Sequence, residues 1–79
     1  MSQSINKLTQ TGYIEWYLKS TNEPNIKFAN WMNKVESKIK NKFNFELLDL
    51  PDEDYMMYFE SLYTPNQMVQ IILESNGLN

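Results

Sequence analysis

Between residues 24 and 43 the chain brings back a large apolar side chain every three or four positions: Phe28, Trp31, Met32, Val35, Ile39 and Phe43. At 3.6 residues per turn these fall on one stripe, so the stretch is predicted to be an amphipathic helix. Asn22 to Pro24 offers a start, because Asn caps well and Pro is tolerated in a first turn where its missing N–H costs nothing. Lys34, Lys38 and Lys42 form an i, i+4 row away from the stripe, and Lys40 and Lys42 crowd the C-terminal end, where the helix dipole favours cations.

The following "NFELLDL" reads as a short connection in which Phe45, Leu47, Leu48 and Leu50 plug the core, with Leu50 pushed toward extended geometry by Pro51. A second helix is predicted near 53–62. Asp52 stands at its N-cap, Glu53 and Asp54 in its first turn, and Tyr55, Tyr58, Phe59 and Leu62 follow helical spacing. A third helix, near 65–76, opens on "TPNQ", the T-x-x-Q form of a capping box with Pro65 at the first helical position. Met68, Val69, Ile72 and Leu73 give it an apolar face, and Gly77 closes it as a left-handed cap.

The N-terminal "TGYIEWYLKS" fits two patterns. Ile14, Trp16 and Leu18 alternate as in a strand, whereas Tyr13, Trp16 and Tyr17 share a helical face. A lone strand lacks a partner edge, so a helix near 12–20 is favoured, and a strand paired across a dimer is the rival. Gly12 separates this element from a polar start that is expected to be disordered. The expected architecture is therefore all-α: a small bundle of about three helices in a single domain over 23–79, preceded by an arm over 1–22. A chain of 79 residues buries only ~60% of the surface it exposes when unfolded, which leaves no room for a second core.

Composition narrows the chemistry. There is no Cys, no His and no Arg, so a disulfide framework, a thiolate nucleophile, the usual general base and the bidentate guanidinium fork are all missing. The expectation is a non-enzyme without cofactor or metal. The acids Asp49, Asp52, Glu53 and Asp54 lack the alternation and the Gly of a calcium loop, and Pro51 stiffens them. No run is long and apolar enough for a membrane helix, and the N-terminus lacks a secretory core, which suggests a cytoplasmic protein.

Charge adds a stronger pattern. Residues 1–44 hold all seven lysines against three glutamates, a net of +4, while residues 45–79 hold seven acids and no base, a net of −7, leaving −3 for the chain. Acid adjoins aromatic in "LPDEDYMMYFESLYTP". Three short helices cannot enclose every ring and methionine, and uncovered aromatics and Met are enriched at interfaces. The candidate contact comprises Asp52, Glu53, Asp54, Tyr55, Tyr58 and Tyr63, with Trp16 and Tyr17 adding a second or a dimer face. The partner so implied is a protein, a second copy or a basic protein such as a host nucleic-acid-binding one. Direct nucleic-acid binding through Lys34, Lys38 and Lys42 is the alternative, weakened by the acidic total and the lack of Arg.

Read together, Trp31, Val35, Leu48, Asp49, Leu50, Pro51, Asp52, Tyr55, Phe59, Glu60, Thr64, Pro65 and Met68 resemble the pattern of a family of short, functionally uncharacterised proteins found mostly in tailed bacteriophages. The resemblance covers about residues 28–76. It implies a viral accessory role inside an infected cell, as an inhibitor or modulator of a host protein or as a self-assembling component, and it carries no known activity or site. The family often has Gly shortly before its Thr-Pro, where this chain has Leu62 and Tyr63, so a different turn and one more exposed large side chain are expected.

Overall fold

The computed structural model describes residues 12–77, in four α-helices and one 3₁₀ turn. Helix α1 spans Gly12–Ser20, α2 Ile26–Phe43, the 3₁₀ turn Leu47–Asp49, α3 Tyr55–Glu60 and α4 Pro65–Ser75. No strand occurs among the described residues, in keeping with the all-α expectation. The expected disorder of the N-terminal start falls on residues outside those described.

Helix α2 is the spine, and its stripe Phe28, Trp31, Met32, Val35 and Ile39 is buried as the periodicity predicts, with Phe43 at its end half-buried. Against it α4 lays Met68, Val69, Ile72 and Leu73, and α1 lays Tyr13, Ile14 and Tyr17. Each large aliphatic or aromatic side chain enclosed this way contributes ~1.5–3 kcal/mol. Through Tyr13, Ile14 and Tyr17, α1 shares this core. The helical alternative also wins over the strand. Alternation would have put Ile14 and Trp16 on one face, yet Ile14 is fully buried and Trp16 is exposed.

Several helix starts differ from the sequence reading. The N-cap of α2 is Asn25 and not a residue of 22–24: its Oδ1 accepts the Phe28 N–H at 3.0 Å, and its own N–H donates to the Tyr17 hydroxyl at 2.8 Å. The N-cap of α3 is Asp54, whose carboxylate faces the Met57 N–H at 3.4 Å, so Asp52 and Glu53 lie outside the helix. By contrast α4 begins as predicted. Thr64 Oγ1 accepts from the Gln67 N–H at 3.1 Å, and Gln67 Oε1 accepts from the Thr64 N–H at 2.9 Å. Its far end turns through Gly77 at φ +67°.

The turn between α3 and α4 carries the expected exposed side chain. The Leu62 N–H donates to the Phe59 carbonyl and the Tyr63 N–H to the Tyr58 carbonyl, the paired bonds of a Schellman ending. Leu62 therefore takes the left-handed position, φ +69°, that usually belongs to Gly, and it is 87% exposed. From α2 the Trp31 indole N–H donates to the Tyr63 carbonyl at 2.8 Å and pins this turn to the spine.

Of the four residues expected to plug the core between α2 and α3, only Leu47 is fully inside. Phe45 and Leu48 are exposed, and Leu50 is half-buried. At three residues per turn the 3₁₀ segment aims Leu47 and Leu48 in different directions, so one enters the core and the other cannot.

Candidate protein-binding surface

The 3₁₀ turn and the extended Leu50–Asp54 segment lie alongside α1, and this brings the acids to the N-terminal aromatics. Trp16 is 51% exposed, and its ring meets Tyr13 edge-on at 5.3 Å. Leu48, also 51% exposed, stands across a cleft of about 210 Å³ whose lining further includes Leu47, Leu50, Asp52 and Tyr55. A second, more open depression shares Tyr13, Trp16, Asp52 and Tyr55 with the first and extends to Glu53 and Asp54. The result is an apolar cleft with an acidic rim.

No ion pair among the described residues neutralises the rim. The two ion pairs among the described residues are Lys19 with Glu15, at 3.0 Å, and Lys40 with Glu46, and neither involves Asp49, Asp52, Glu53 or Asp54. Asp54 spends one carboxylate oxygen on its cap, while Asp52 and Glu53 make no cap at all. Capping therefore accounts for less of this acid than its position before a helix suggests.

Two phenols feel the rim. Burial raises the Tyr13 hydroxyl to about 12, with the nearby Asp52 charge adding to the shift. The Tyr55 hydroxyl is pushed up further by burial and then by Asp52 and Glu53. Both rings, meeting edge-on at 5.5 Å, thus line the cleft as neutral groups at any physiological pH.

One acid does a different task. Glu36, half-buried on α2, accepts the Tyr13 N–H at 2.8 Å and so closes the free N-terminal end of α1. Burial raises its pKa, opposed by the hydrogen bonds from the Tyr13 and Ile14 N–H groups. Gly12 makes this approach possible: it sits at φ +58°, and a Cβ there would collide with the Glu36 carboxylate.

The residues singled out in the sequence divide in a way their order did not suggest. Trp16 joins Asp52, Glu53 and Asp54 in one place and does not form a separate face. Tyr17 and Tyr55, at 9% and 4% exposure, are core residues, and each shows only an edge at the surface, Tyr55 in the cleft and Tyr17 in the open depression beside it. Tyr58 and Tyr63 pair edge-on at 5.0 Å near the exposed Met57 and Leu62, and none of these lines the cleft beside Trp16. Leu48 and Tyr13 were missed. A leucine within "ELLDL" looks like core, and only the tightness of the 3₁₀ turn exposes it. Glu36 did carry a signal, as the one acid among the lysines of α2.

An indole and a leucine flanking a shallow cleft can hold an apolar side chain, and the carboxylates beside them attract Lys or Arg neighbours, with Trp16 also open to a cation over its face. Among the described residues no cluster of His, Cys, Asp and Glu is placed to hold a metal ion, and no helix is long and apolar enough to cross a membrane. Comparison of the chain with protein-family models, curated proteins and solved structures gives no match.

Proposed function

We propose that this is a small accessory protein, of the phage type its sequence resembles, which works without catalysis by binding another protein through the cleft at Trp16, Leu48 and Asp52. The observation that carries the reading is the coexistence of two large exposed apolar side chains with Asp49, Asp52 and Glu53, none of which is in an ion pair or cap among the described residues. The chemistry selects a partner segment with an apolar residue flanked by Lys or Arg, as basic host proteins that handle nucleic acid present. Inhibition or modulation of such a protein follows from occupying its basic surface.

The test is affinity capture from host-cell lysate with the wild-type chain and with Trp16→Ala and Asp52→Lys. A protein retained by the wild type, released by salt and lost from both variants is the expected result. A blank capture, or retention by both variants, would remove the reading.

A second reading rests on Lys34, Lys38 and Lys42, which are exposed and form no ion pair among the described residues. It makes the protein a nucleic-acid accessory. Mobility-shift titration at two salt concentrations distinguishes it, since steeply salt-dependent binding lost in Lys34→Glu would favour it over the first.

A further inference from the structure

We infer that the chain self-associates head to tail, the acidic ledge around Leu48 of one copy seating in a lysine-lined groove between α2 and α4 of the next. The inference rests on the protein-binding reading of that ledge and names its occupant as a second copy. Lys38 and Lys42, one turn apart, border an open groove of about 510 Å³, with Val69 and Leu73 at its base and the side-chain amides of Asn41 and Asn66 beside them. Neither lysine forms an ion pair among the described residues, and the Lys42 ammonium lies 5.7 Å over the Phe43 ring. This is the chemistry the ledge calls for: cations around an apolar strip. The ledge in turn presents an exposed leucine with Asp49 next to it in the chain and Asp52 on the same cleft, as such a groove requires.

The two surfaces cannot satisfy each other within one chain. Glu36 and Lys40 mark the flank of α2 that faces α1 and the 3₁₀ turn, because Glu36 binds the Tyr13 N–H and Lys40 pairs with Glu46. Lys38 lies midway between them in sequence, about 200° around the helix axis from either. It therefore faces α4, with the ledge on the opposite flank. A contact between copies that uses one surface leaves the other free on each end, so the association is heterologous and extends past a pair or closes into a ring. It weakens as salt rises, because the Debye length shrinks from ~8 Å at physiological ionic strength to ~3 Å at 1 M and the exposed charges in contact are screened.

The experiment is sedimentation velocity over a range of concentrations, on the full chain and on two charge-reversed variants, Lys38→Glu/Lys42→Glu and Asp49→Lys/Asp52→Lys, with circular dichroism to check that each remains helical. All four positions are exposed, and none caps a helix. The wild type is expected to grow with concentration beyond a dimer, each variant alone to stay monomeric, and an equimolar mixture of the two to associate again, because each then meets its opposite. Leu48→Ala, which alters no charge, is expected to weaken the wild-type association. A wild type that is monomeric throughout, a closed dimer indifferent to salt, or a mixture that fails to associate overturns the inference. A lysate protein still captured in a Trp16-dependent manner would leave the protein-binding reading standing on its own.

Discussion

Helices α1 and α4 are both short, yet their N-terminal N–H groups are satisfied in opposite ways. In α4 the donors are met within four residues, by Thr64 and Gln67. In α1 the acceptor comes from Glu36, 23 positions away on a different helix, and reaches the Tyr13 N–H only because Gly12 leaves room. The start of α4 is specified by its own neighbouring residues, whereas that of α1 is defined only where it lies on α2. Since α1 supplies Trp16 and one wall of the cleft, the candidate binding surface depends on the more conditional of the two.

The largest test of this contrast is Ile14→Ala. Ile14 is fully buried between α1 and the spine, so truncation should cost about 2–4 kcal/mol. At ~4–8 °C per kcal/mol for a domain of this size, Tm falls by about 10 °C or more. Hydrogen exchange should show protection lost first in α1 and later in α4; simultaneous loss would mean that the two helices are equally dependent on the whole.

Gly12→Ala comes next. A non-glycine residue in the left-handed region costs about 1–2 kcal/mol, and the new Cβ also displaces the Glu36 carboxylate. Thermal melting should show the loss, and Trp16 fluorescence should report a changed cleft. An unaltered spectrum would show that Glu36 does not hold the start of α1 in place.

Thr64→Ala removes half of the capping box and should cost about 1 kcal/mol. Its effect is expected to stay local, with faster exchange of the Gln67 amide and no change at Trp16. A disturbance reaching the cleft would contradict the view of α4 as locally begun.

The smallest effect concerns acidity. Burial raises the Glu36 pKa in the folded chain, so the protonated form is favoured there, and its contribution to stability is present below the ordinary carboxylate range and lost as pH rises through the elevated value. Melts of the wild type and Glu36→Gln between pH 7 and pH 4 should therefore show the wild type gaining on the variant as the solution is acidified. A constant gap would mean that Glu36 titrates as an exposed carboxylate does.

Much of the architecture was legible. The α2 stripe, the α4 capping box and the left-handed Gly77 each follow from spacings within a few residues, and the structure has all three. The sequence places the start of α3 two residues early because Asp52, Glu53 and Asp54 are equally suited to cap, and only the bond to the Met57 N–H selects Asp54. Leu48 looked like core for a related reason: hydrophobicity ranks side chains by what burial would yield and says nothing about the direction a 3₁₀ turn aims them.

The sequence by itself determined the helical periods, the caps built from adjacent residues, and the separation of positive from negative charge along the chain, because each is a matter of residue types at short fixed spacings. Only the tertiary structure decided that Trp16 stands beside Asp52, that Glu36 closes α1, and that Lys38 and Lys42 border a groove on the flank of α2 away from Asp52. Those relations join residues distant in the chain, and their geometry is set by how apolar faces seat on α2, which no local spacing encodes.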